Sequence, residues 1–136
     1  MDAQFRSRCP IASSLDLLGD RWTLVVIRTL MAGALSYSDL LAAPEKIATN
    51  VLADRLGRLE ASGLVSSSAR RGVGKVRKTY RLTPAGADLL PVLQALSAWG
   101  EVHIPGRWRT PDWFKAARAE DFLRAGDDRS QSEYPH

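Results

Sequence analysis

The sequence predicts a mainly α-helical domain carrying a small β-hairpin wing. The first ground is the segment from Ile47 to Leu82, where an apolar-faced helix, a glycine stop and a strand pair follow in immediate succession. The second is a set of short upstream helices separated by Gly and Pro, so that helix, tight connection and helix precede the hairpin. The third is charge. Residues 44–83 hold nine Lys and Arg against three Asp and Glu, a net +6 where the whole 136-residue chain carries +4. Together they predict a winged helix-turn-helix, a layout that reads duplex DNA.

Each element has its own justification. Pro10 suits a first helical position, which makes Cys9 the N-cap of a helix with Ile11, Leu15 and Leu18 on one face, ending at Gly19. Asp20 is expected to cap a second helix, Trp22 to Ala32. Its run of Trp22, Leu24, Val25, Val26, Ile27, Leu30 and Met31 is apolar nearly all round, as a central buried helix requires. Gly33 ends it. Ser36, with Asp39 three positions on, opens a short third helix through Leu41, and Ala42-Ala43-Pro44 breaks the chain again. In the fourth helix, Thr49 to Ser62, the apolar residues Leu52, Leu56 and Leu59 recur at helical spacing before Gly63 stops it. The stretch Leu64 to Arg71 turns through Gly72-Val73-Gly74 into Val76 to Leu82, where Val76, Tyr80 and Leu82 alternate with Arg77, Thr79 and Arg81.

Thr83-Pro84 repeats the pattern of a cap followed by a first-turn proline. It predicts one long helix to about Val102, bent near its middle by Pro91. The apolar face of that helix, with Leu89, Leu93, Leu96 and Trp99, is wider than one small domain can hide, and the expectation is a two-fold homodimer held along it. Residues 1–104 are thus expected to form the winged domain with its dimerisation helices, and 105–136 a C-terminal extension. In that extension Thr110-Pro111 caps a further helix to about Leu123, and a polar, disordered end follows from Gly126. The cluster Trp108, Trp113 and Phe114 either packs, docks on the dimer or lines a ligand pocket; packing is the commoner role for aromatics.

The remaining composition narrows the function classes. A chain of 136 residues can bury about two-thirds of its unfolded surface without disulfide or metal. No apolar run is long enough to span a bilayer and no signal peptide is apparent, so a cytoplasmic protein is expected. His103 and His136 are the only histidines, too few for a metal cluster or a histidine-based triad, and Gly72-Val73-Gly74-Lys75 lacks the spacing of a phosphate loop. Neither enzymatic activity nor a cofactor is expected. The expected partner is double-stranded DNA; the alternative is a dimeric small-molecule-binding module with its pocket between the long helix and the aromatic extension.

For base readout the candidates are the exposed positions of the fourth helix's first turns, Thr49, Asn50, Ala53 and Asp54. Asn50 can pair bidentately with adenine, and Thr49 or Ala53 can touch a thymine methyl. Asp54 either accepts from cytosine or pairs with a neighbouring Arg. Backbone contacts are assigned to Arg55 and Arg58 on the helix flank, to Arg70, Lys75, Arg77 and Lys78 on the wing, and to Ser36 at the start of the third helix. The lone cysteine, Cys9, sits at a helix N-terminus near Arg6 and Arg8, a setting that favours thiolate. The competing expectation is a packing residue at the dimer seam.

Taken in order, Cys9-Pro10, Leu17 to Trp22, Ile47 to Leu52, Arg55-Leu56, Leu59-Glu60, Gly63 to Val65, Tyr80 to Gly86, Leu90 to Leu93 and Trp99-Gly100 resemble the HxlR-type winged-helix transcriptional regulators, relatives of the MarR group. The resemblance spans about Cys9 to His103 and leaves Pro105 to His136 outside it. It implies a homodimeric bacterial regulator of a pseudo-palindromic operator. It also implies that an electrophile or oxidant acting at Cys9, or a small ligand, can modulate DNA affinity.

Overall fold

The computed structural model describes residues 5–72 and 74–123. The side chains of residues 70–72 and 75–76 lie outside the described residues, and with them the expected phosphate contacts of Arg70 and Lys75; so does the end of the chain from 124. The order is α1 (Pro10–Leu18), α2 (Thr23–Met31), α3 (Tyr37–Leu41), α4 (Thr49–Ala61), β1 (Val65–Gly72), β2 (Lys75–Leu82), α5 (Pro84–Ala87), α6 (Leu90–His103), α7 (Asp112–Ala116) and a 3-10 turn, Ala119–Phe122.

Helix α2 is the hub. Its Val26, Ile27, Leu30 and Met31 are buried among Leu40 of α3, Leu52, Leu56 and Leu59 of α4, and Val65, Tyr80 and Leu82 of the hairpin. The helix begins one residue later than Asp20 alone suggests. Trp22 stands at the cap position without a capping side chain, and Asp20 reaches forward to accept from the backbone N–H of Trp22 at 3.0 Å and of Thr23 at 3.2 Å. Helix α3 opens on the expected capping box: the Ser36 hydroxyl accepts from the Asp39 N–H, and the Asp39 carboxylate accepts from the Ser36 N–H, both at 3.1 Å.

The hairpin is antiparallel with Val65 opposite Leu82 and Gly72 opposite Lys75, so a two-residue connection closes it, with Gly74 at φ +73°. A bridge between Ser36 and Thr79, and the Tyr80 N–H donating to the Leu35 carbonyl at 2.8 Å, fasten β2 to the start of α3. The mainly helical body and the two-stranded wing make this a winged helix-turn-helix fold.

Two expected helices are each divided. The single helix predicted from Thr83 to Val102 is α5 and α6, separated at Asp88-Leu89, and Pro91 lies in the first turn of α6 rather than at a mid-helix bend. Pro91 has no N–H to give the Ala87 carbonyl four residues back, so the helix stops there and restarts where proline is tolerated. Helix α5 is pressed against the body: a Cβ on Gly86 would lie 2.1 Å from the Leu64 carbonyl oxygen, so only glycine fits. In the extension, the helix expected to reach Leu123 is cut at Ala117, whose ψ of 154° is extended. Thr110 does not cap it. Its hydroxyl bonds the Glu101 carboxylate and Ser97 instead, while the Gln94 amide of α6 donates to the carbonyls of Phe114 at 3.0 Å and Ala117 at 3.1 Å. Phe114 and Phe122 join the same buried cluster as the helices.

Candidate nucleic-acid interface

Helix α4 presents two unlike faces. Leu52, Leu56 and Leu59, spaced by four and three residues, point inward; Thr49, Asn50, Ala53 and Asp54 are exposed on the other side. Ala48 supplies no side-chain cap, so among the described residues the first N–H groups of α4 have no capping side chain. The Tyr37 hydroxyl donates to the Thr49 carbonyl at 2.6 Å and ties α3 to the outer end of α4.

The cations expected to meet phosphate divide into free and engaged groups. The Arg55 Nε donates to Asp20 Oδ2 at 2.7 Å and the guanidinium also bonds Asp54; its side chain is only 18% exposed. Its first role is thus to brace α4 against the turn between α1 and α2, which departs from the phosphate contact expected of it. Burial pushes the Asp20 carboxyl up, but the hydrogen bonds from Thr23, Arg55 and the Trp22 N–H outweigh burial and hold it at about 2, against an ordinary 3.8. Asp54 takes the second of its two expected roles, pairing with Arg55 and, at 3.0 Å, with Arg58, whose side chain remains 67% exposed.

On the wing, Tyr80 and Leu82 are buried, while Arg77, Lys78 and Arg81 are exposed. Lys78 is drawn back toward α4, 3.8 Å from Glu60 and over the Tyr80 ring at 5.6 Å from its centre. Arg77 and Arg81, four residues apart on β2 and therefore of the same parity, share the other face. Arg81 stands outside the expected phosphate contacts; its parity with Arg77 along β2 is the signal that identifies it. The Ser36 hydroxyl is already engaged by the Asp39 N–H and lies 3.1 Å from the Ser38 hydroxyl.

A second exposed face is apolar. Helix α1 has no buried residue, and Ile11 is 72% exposed. Along α6, Leu96, Trp99 and Val102 are exposed, whereas Leu93 is buried in the chain's own core and Leu89 packs against it. Of the four residues expected at a dimer seam, only Leu96 and Trp99 therefore present themselves to a second molecule. Cys9 is exposed at the N-cap of α1, its N–H donating to the Ser7 hydroxyl at 3.2 Å. Arg6, one of the cations expected to flank the thiol, is bound to Asp16 through both its Nε, at 2.5 Å, and its backbone N–H, at 3.1 Å. That backbone bond is the main reason the Asp16 carboxyl lies below its ordinary range, burial acting against it.

A helix with an apolar inner face and polar outer face, beside a hairpin with exposed cations, is the arrangement of a winged-helix nucleic-acid reader. The comparisons place it more closely. The HxlR-like helix-turn-helix family matches residues 17–107, and the chain belongs to this family of transcriptional regulators. An uncharacterised HTH-type transcriptional regulator of Synechocystis is 30% identical over 119 residues, covering 88% of this chain and 80% of its own length. The HTH-type transcriptional regulator YodB of Bacillus subtilis is 32% identical over 94 residues, 68% of this chain and 83% of the relative. Its reduced form superposes with a TM-score of 0.61 at 29% identity, covering 75% of this chain and all of the other. The diamide-treated form gives 0.57 at 30% identity, covering 76% and 97%. The redox regulator HypR in its oxidised form gives 0.61 at 26% identity, covering 70% of this chain and 97% of its own. No helix among the described residues is long and apolar enough to cross a membrane.

Proposed function

We propose that the protein binds a pseudo-palindromic DNA operator as a homodimer and that modification of Cys9 alters its affinity. The observation that carries the first part is the division of α4. Its inner leucines are fixed in the core, and its outer face offers Asn50 and Thr49 unobstructed at the end of the helix that enters a major groove. Arg58, Arg77 and Arg81 flank that face and suit phosphate oxygens. The exposed apolar residues of α1 and α6 support dimerisation, since an apolar stripe of this kind on a small domain is costly to leave in water. Selection of bound sequences from a random duplex pool tests the reading: an inverted repeat with half-sites about 10 bp apart is the expected outcome, and recovery of no preferred sequence would overturn it.

The exposed Cys9 thiol favours the second part. The chain's likeness to YodB, solved reduced and diamide-treated, and to the redox regulator HypR supports the same reading. With one cysteine per chain, a disulfide can form only between subunits or with a small thiol. In the first case diamide takes up two electrons and the two thiol protons as the sulfur–sulfur bond forms.

A further inference from the structure

Between α2, the α3–α4 connection and the extension beyond residue 107 lies a recess of about 920 Å³. Its floor and walls include Leu24 and Val25 of α2, Leu93 of α6, and Trp108, Trp113 and Phe114 of the extension. The aromatic wall is a built element rather than a trailing end. Residues Gln94, Ser97 and Glu101 lie along one face of α6 and hold it. Gln94 donates to the carbonyls of Phe114 and Ala117, Glu101 accepts from the Thr110 N–H at 3.1 Å, and Ser97 bonds the Thr110 hydroxyl. This staple turns Phe114 into the core and sets Trp113 edge-on to it, ring centres 5.5 Å apart, while Trp108 stands 81% exposed at the rim. The residues that make the wall begin where the family match ends.

The chemistry of the lining selects the occupant. Its polar side chains are engaged within the chain: Arg28 is paired with Glu45 at 2.7 Å, Thr29 donates to the Val25 carbonyl, the Asp39 carboxylate accepts from the N–H groups of Leu35 and Ser36, and Ser97 and Thr110 bond each other. An ion brought into such a recess would lose hydration without gaining a free counter-charge. We propose that this recess is a binding site for a neutral, largely apolar aromatic small molecule of a few fused rings, held against the Trp108 and Trp113 faces. Its volume falls in the range of about 300–1,000 Å³ usual for such sites.

The test uses the full chain without DNA, so it stands apart from operator binding. The probe is 1-naphthol, uncharged near neutral pH, titrated calorimetrically against the wild type, Trp108→Ala, which removes the rim, and Ala42→Trp, which fills the recess from the exposed end of α3. Saturable binding of one naphthol per chain by the wild type is expected, weakened at least about tenfold by either substitution while both variants keep a wild-type melting transition. Absence of saturable binding by the wild type, or wild-type affinity in either variant, would overturn the proposal. Sedimentation in which Trp108→Ala becomes monomeric would overturn it too, because the recess would then be part of a subunit seam.

Discussion

Arg55 shows how a side chain expected at phosphate can already be engaged within the chain. Its guanidinium is engaged by Asp20 and Asp54, so its first effect is on stability. Hydrogen bonds to charged groups contribute about 1.5–3 kcal/mol each, and Arg55→Ala is expected to lower the melting temperature accordingly and to leave Asp20 short of a partner. The pH dependence has a definite sign. Asp20 falls from 3.8 to about 2 on folding, so its contribution is fully present above the unfolded value and disappears as pH drops from about 5 toward 2. Asp20→Asn should flatten that acid limb of a denaturation curve relative to wild type; an unchanged limb would remove Asp20 from the account. Asn50 makes the opposite case. It is exposed and its side chain makes no hydrogen bond among the described residues, so Asn50→Ala should leave stability intact yet relax one position per half-site by about 1–3 kcal/mol in a binding-selection assay. Unaltered base preference would exclude it from readout.

At the scale of elements, what was legible in the sequence is what local physics decides. The leucine spacing of α4, the Ser36–Asp39 box and the alternation in β2 are each specified by residues within a few positions of one another, and the structure has them where the pattern puts them. The break before α6 and the division of the extension depend on distant groups. Gly86 is pinned against Leu64, and the carbonyls of Phe114 and Ala117 are taken by Gln94, partners some 20 residues away that periodicity cannot reveal. Of the candidate site, the outer face of α4 was legible because exposure follows from the leucine phase; the engagement of Arg55 by Asp20 was not, since 35 residues separate them. Helix α6 also turns out to have two sides. A charge at Leu93 enters the chain's own core and should unfold the protein, by about 3–5 kcal/mol for an unpaired buried charge. Leu96→Asp, at a position 50% exposed, should instead keep the melting transition of a folded chain and sediment as a monomer. A folded, dimeric Leu96→Asp protein would move the seam elsewhere.

For the whole molecule, charge and symmetry act together. The excess of +6 in residues 44–83 exceeds the net +4 of the chain, so the remainder is acidic and the positive charge is concentrated in the segment that carries α4 and the wing. In a two-fold dimer both such faces turn toward one duplex, and binding should weaken steeply with salt, with a log–log slope of about 0.9 per phosphate neutralised. Arg77→Ala is then expected to weaken all duplexes alike and to reduce that slope by about one per wing, unlike the base-specific effect at Asn50. The same symmetry decides what Cys9 can do. It caps the helix whose apolar residues Ile11 and Leu15 are uncovered, so a change at its sulfur acts at the proposed seam rather than at the DNA face. A disulfide between subunits needs the two α-carbons within about 7 Å, and if they stand farther apart in the reduced dimer, closing it requires α1 to move. The turn after α1 holds Asp20, whose bond to Arg55 reaches α4, so such a shift would alter the spacing of the two recognition helices. Operator affinity measured before diamide, after it and after reductant should fall and recover in the wild type and stay constant in Cys9→Ser. Equal loss in both proteins would place the oxidant's effect outside Cys9, and no loss in either would leave Cys9 without a sensing role.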